Sequence, residues 1–210
     1  MIKEKVQKLT RAHGGWILLL IQFVGFLLLS SKWSDSFVFL TPINLSIIVI
    51  LFLLASESPK SIVFYLMPAL LGWLIEVLGT NSGFPFGEYT YSGILGPRLF
   101  GTPVMIGVLW WVLIRSAYDL MAYVTSSIVI KSLLTGLAMV GLDFLIEPVA
   151  IDLNFWHWKK QIVPIENYLA WFLCSALFAG LTDKGSVKNP LSHWIWIVMI
   201  LFFGAFNLID

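Results

Sequence analysis

"FVFLTPINLSIIVILFLLA", residues 37–55, contains no charged side chain. At a rise of about 1.5 Å per residue, a helix of this length covers most of a hydrocarbon core about 30 Å thick. The stretch reads as a spanning helix. Six other stretches share its character: Trp16–Ser30, Ser61–Gly79, Pro103–Ala117, Ile128–Glu147, Asn167–Leu181 and Ser192–Ile209. The expected fold is therefore all-α, a polytopic integral membrane helix bundle of about seven transmembrane helices. It forms a single transmembrane domain over residues 1–210, multi-pass in the cell membrane. The first stretch follows Lys3, Lys5, Lys8 and Arg11, a pattern that a secretory leader also shows. The next apolar stretch follows at once, with no small-residue cleavage site after Ser31, so we read it as an uncleaved first helix.

Composition agrees. The 210 residues are 59% apolar and 12% charged, with mean hydropathy +0.88. A soluble domain carries roughly a quarter charged residues, so the polar surface needed to coat a water-soluble globule is missing. The net charge of +1 offers no footprint for nucleic acid. The single cysteine, Cys174, lies in an apolar run and reads as packing.

Lysine and arginine counts orient the bundle. With the N-terminus inside, Lys3, Lys5, Lys8, Arg11, Lys60, Arg115, Lys131, Lys184 and Lys188 are inner, and Lys32, Arg98, Lys159 and Lys160 are outer. Nine against four favours N-in and C-out. Both long connections, residues 80–102 and 148–166, then lie on the outer face, where they are expected to form re-entrant or lid-like loops.

Ionisable groups inside spans are costly and mark function by default. Glu76 lies about one turn before the end of its span, and Asp143 and Glu147 stand one turn apart on one helical face. Pro148 disfavours helix at Glu147, which places that residue at a helix end, where it can simply reach water. Arg115 and Asp119 are also one turn apart and read as a snorkelling surface pair. Trp16, Trp33, Trp73, Trp194 and Trp196 read as interfacial anchors. The aromatics Phe84, Phe86, Tyr89 and Tyr91 crowd among the prolines and glycines of the first long connection, and Trp156 and Trp158 sit in the second. Backbone that is not helical tolerates membrane depth only against protein or a watery cavity. We therefore expect a lid lined by rings, with an ordinary interfacial loop as the simpler alternative.

Three histidines are too few for a membrane di-iron cluster, and no Cys/His spacing suggests zinc. Neither a GxGxxG nor a P-loop is present. The last span has no lysine for a retinal Schiff base. The expectation is a site without metal or cofactor.

"EVLGTNSGFPFGEYTYS" (76–92), "LFGTPVMIGVLWW" (99–111), "LDFLIEPVA" (142–150) and "FWHWKKQIVPIENYLAWF" (155–172) carry a family resemblance. Together they resemble the carotenoid biosynthesis membrane family of C-1,2 hydratases, of the bisanhydrobacterioruberin and γ-carotene 1′,2′-hydratase type. The likeness covers roughly residues 70–175. It implies a cofactor-independent hydro-lyase that adds water to the terminal double bond of an acyclic carotenoid end, giving a tertiary alcohol. The implied partners are a carotenoid such as lycopene or γ-carotene, membrane lipid and other carotenoid enzymes.

That chemistry needs an acid able to protonate an alkene, tolerance of a tertiary cation and a positioned water. A carboxyl in a low-dielectric site can keep its proton at neutral pH. We assign Asp143 as acid and Glu76 as base or water holder, an order that is reversible, with Glu147 beside them. Tyr89, Tyr91, Trp110, Trp156 and Trp158 supply aromatic faces for the cation, and Phe84, Phe86 and Trp171 complete the expected substrate contacts. Asn167 either caps its helix or binds water or product, and we favour the cap. Gly136 and Gly141 allow close approach of a helix or a polyene. The alternative function is a membrane transporter or binding protein for a lipid or isoprenoid, without catalysis. Against transport, no internal repeat or paired broken helices are visible.

Overall fold

The computed structural model describes residues 2–56, 62–181 and 188–209. Lys60 and Lys184, two of the inner cations counted above, lie outside the described residues. Helix α1 (Ile2–Leu29) is followed by a short α2 (Ser34–Phe37), a 3-10 turn (Val38–Leu40) and α3 (Thr41–Ala55). Then come α4 (Ile62–Ser82), α5 (Val104–Met121), α6 (Ile128–Asp152), α7 (Ile165–Leu181) and α8 (Ser192–Ile209). Four helices, α1, α5, α6 and α8, and the combined stretch Ser34–Ala55 are long and apolar enough to cross a membrane. The 37–55 segment is not one straight helix. Pro42, which has no N–H to give, stands at the start of α3, where none is needed.

Helix α5 is the axis of the bundle and touches α3, α4, α6, α7 and α8. Its residues from Trp110 to Asp119 are all buried, as expected of a helix enclosed on every side. The α4–α5 contact is close at Gly107, where an added Cβ would lie 2.5 Å from the Ala69 carbonyl oxygen and 2.5 Å from Trp73 Cβ. Backbone cannot step aside as a flexible side chain can. Gly107→Ala is expected to cost about 1–3 kcal/mol, measured as a lower melting temperature in detergent. An unchanged melt would contradict this packing.

Several sequence expectations change here. Helix α6 does not stop before Pro148 but runs on to Asp152, with the proline inside it. Neighbouring helices can re-satisfy the backbone freed by such a proline. Asn207 of α8 donates to the Leu145 carbonyl oxygen (2.9 Å), next to the Phe144 carbonyl that Pro148 leaves without its helical donor. Glu147 is consequently not at a helix end and does not reach water, being 3% exposed. Arg115 and Asp119 are not a surface pair either; both are buried, and Arg115 Nη2 donates to Asp119 Oδ1. Trp16 and Trp33 are exposed as anchors would be, whereas Trp196 is buried and Trp73 packs in mid-helix against Phe100. Gly136 packs tightly against α7, but nothing lies near Gly141.

The all-α expectation misses a small β component. Strands β1 (Tyr89–Tyr91) and β4 (Trp156–Trp158) pair antiparallel, joining the two long connections. Strands β2 (Arg98–Leu99) and β3 (Thr102–Pro103) form a tight hairpin within the first connection. The ladder between the connections is extended at both ends. Ser92 N donates to Phe155 O (2.9 Å) and Lys159 N to Glu88 O (3.0 Å).

Candidate active site

Side chains alternate across a strand, so residues two apart share a face. In the β1–β4 ribbon Tyr89 lies opposite Trp158 and Tyr91 opposite Trp156, while Thr90 and His157 point outward and are exposed. Four aromatic donors therefore project from one ribbon face into the bundle. The Tyr89 and Trp158 rings are 5.1 Å apart and those of Tyr91 and Trp156 5.9 Å, cross-strand pairs that stabilise the ribbon.

The tyrosines serve one carboxylate and the tryptophans another. Glu76 Oε2 accepts from Tyr89 OH (2.5 Å) and Tyr91 OH (2.8 Å), and Glu76 Oε1 accepts from Trp110 Nε1 (3.0 Å). Glu147 Oε2 accepts from Trp156 Nε1 (3.1 Å) and Trp158 Nε1 (2.8 Å). Burial, and then the Glu76 charge, hold both phenols well above their usual range, so they remain O–H donors.

Asn167 does not cap α7. It is the third residue of that helix, and its amide donates to Asp143 Oδ2 (2.7 Å) and more distantly to Glu147 Oε1 (3.4 Å). It thus ties the two α6 carboxyls together across the helix interface. Asp143 is 0% exposed, and its Oδ1 has no hydrogen-bond partner among the described residues.

All of these carboxyls and donors except Asp143 border a mostly apolar chamber, open to the outside, with a cavity volume of about 130 Å³. Glu76, Glu147, Phe86, Tyr89, Tyr91, Trp110, Trp156, Trp158, Asn167 and Trp171 all line it. The Trp110 and Trp171 rings stack 4.6 Å apart in its wall. Two of the expected site residues are placed otherwise. Phe84 is 69% exposed and does not line the chamber, and Asp143, bonded to the lining residue Asn167, is not on the wall either. Glu88 is exposed and paired with Lys159, whose hydrogen bond and charge hold its carboxyl below the usual range.

Two further polar side chains on the chamber wall were not found from the sequence. Gln22 of α1 and Asn44 of α3 also line it and exchange amide hydrogen bonds of 3.0 and 3.4 Å. Neither is ionisable, so a search for charges inside spans passes over them. Among the described residues, no group of three His, Cys, Asp or Glu side chains is placed to hold a metal ion.

Residues 36–209 match the family described as carotenoid biosynthesis protein. The chain belongs to this family. It is 31% identical over 151 residues to a protein of Haloarcula japonica named bisanhydrobacterioruberin hydratase. The aligned region is 64% of this chain and 52% of that relative, so the chain spans about half the relative's length. No solved structure matches the chain.

Proposed function

We propose that this carotenoid biosynthesis protein is a hydratase acting on an acyclic carotenoid end. The observation that carries the reading is the pair of buried carboxyls, Glu76 and Glu147, facing one aromatic chamber. The hydratase name of the Haloarcula relative supports it.

In this reading the polyene lies in the chamber with its terminal double bond between the two carboxyls. The transferable proton belongs to the Asp143–Glu147 pair joined by Asn167, and Glu147 presents it because Asp143 is off the wall. Proton addition to carbon 2 of the alkene leaves a tertiary cation at carbon 1, faced by the Tyr89, Tyr91, Trp110, Trp156 and Trp158 rings. Water adds its oxygen to carbon 1 and gives a proton to Glu76, the carboxylate held by three donors. Unequal environments for two carboxyls separate acid from base in this way. Return of that proton to the α6 pair completes the cycle, with one water consumed and no redox change. The ribbon-joined connections act as the lid, on the side we assign as outer.

Reaction in D₂O tests the mechanism. The product alcohol is expected to carry one non-exchangeable deuterium at carbon 2, detected by mass spectrometry. An alcohol without that deuterium would exclude protonation at this carbon, and binding without any product would favour the carrier reading.

A further inference from the structure

Among the described residues, four buried polar atoms on α6 and α7 have no hydrogen-bond partner: Asp143 Oδ1, Thr135 Oγ1, Ser132 Oγ and Ser175 Oγ. Thr135, Ser175 and Asp143 are 0% exposed, and Ser132 is 8% exposed. Helical serines and threonines usually bond back to their own helix. Ser46, Thr80 and Ser82 of this protein do so, at 2.6, 3.1 and 2.7 Å. The seam hydroxyls do not.

Three contacts set the register of these antiparallel helices. Asn167 Nδ2 meets Asp143 Oδ2 at 2.7 Å. A Cβ on Gly136 would lie 2.8 Å from the Phe172 carbonyl oxygen and 3.2 Å from Ala176 Cβ. One on Gly180 would lie 3.3 Å from Ser132 Oγ. Counting from the Asp143–Asn167 contact, eight residues back on α6 is Thr135 and eight residues on along α7 is Ser175, so in antiparallel helices the two hydroxyl residues stand at the same level. They do not bond to each other. A buried hydroxyl left unpaired costs about 1–3 kcal/mol, and ordered water is the usual partner for such groups.

We propose that the α6–α7 seam binds water between Thr135, Ser175 and Ser132 and at Asp143 Oδ1. This water supplies the reaction from the end of the bundle where α6 begins. The supply role rests on the hydratase reading. An apolar polyene filling the chamber leaves little room for water to pass it, yet each turnover consumes one, and the seam offers a second entry. From Ser132 to Asp143 the path is about 16 Å along α6. Lys131, next to Ser132 at the start of α6, turns its ammonium to α5, 4.6 Å from the Tyr118 ring centroid. Met139, fully buried between the two water positions, has the rotatable bonds to move aside.

Radiolytic labelling in H₂¹⁸O tests this without substrate, so its result does not depend on the hydratase reading. Hydroxyl radicals formed from bound water oxidise adjacent side chains, and Met139 is shielded from bulk solvent. Wild-type protein is expected to carry ¹⁸O label at Met139, and Thr135→Val/Ser175→Ala to lose it. Thr135→Ser should keep it, and exposed Tyr123 should label equally in every folded variant. Ser175→Ala alone serves if the double variant does not fold. An unlabelled wild-type Met139 overturns the proposal, as does label that survives loss of the hydroxyls. With label lost, an unchanged kcat overturns the supply role, and a lower kcat at unchanged KM supports it.

Discussion

Glu76→Gln is expected to lower the rate of carotenoid hydration by about 10²- to 10⁴-fold, the usual contribution of a positioned acid or base, while the protein remains folded. Glutamine matches glutamate in size, and its one carbonyl oxygen can still accept from Trp110 Nε1, which can only donate. The amide end would face Tyr89 and Tyr91, whose hydroxyls can rotate to accept. The pocket therefore keeps its hydrogen bonds and loses only the capacity to take a proton from water. Tyr89→Phe, by contrast, leaves Glu76 two of its three donors and should cost far less. The measurement is turnover in membranes carrying each variant, normalised to folded protein. Comparable rates for Glu76→Gln and wild type would remove Glu76 from the chemistry.

Asp119→Ala is expected to be the most destabilising single change outside the chamber. Asp119 Oδ1 accepts from Arg115, and Oδ2 accepts from Asn189 N (2.8 Å) and Ser192 Oγ (2.7 Å), fastening α5 to the start of α8. Asn189 in turn donates to Phe52 O (2.8 Å) and so connects α3. Truncation removes the carboxylate from a buried arginine and strips acceptors from two further donors, a loss of about 3–5 kcal/mol for a broken buried pair. The melting temperature in detergent should fall sharply, with Asp119→Asn intermediate because it keeps an acceptor. A surface pair would be worth about 0–1 kcal/mol at most, so a negligible shift would restore the snorkelling reading.

Two periodicities determine how much of this was legible from residues alone. Long uncharged runs such as 37–55 and 192–209 mark helices because the bilayer demands length and apolarity. Carboxylates inside them, Glu76, Asp143 and Glu147, mark themselves by their cost. The ribbon was missed although its signal was present: Tyr-x-Tyr and Trp-x-Trp are period-two patterns. Each is only three residues long, and their pairing across some seventy positions is a tertiary fact. Pro148 misled because the rule against helix before proline is local, whereas α6 is held by its neighbours. Asn167 looked like a cap from its place near a helix start, but its amide is spent across the α6–α7 interface. Gln22 and Asn44 gave no charge signal at all.

The most direct test is the pigment profile of a lycopene-accumulating host that expresses this chain. The account predicts a new pigment heavier than its precursor by one water, absent when Glu76→Gln is expressed instead. Unchanged pigments, with the wild-type protein folded in the membrane, would contradict it for this substrate, and the same result in a γ-carotene-accumulating host would contradict it outright.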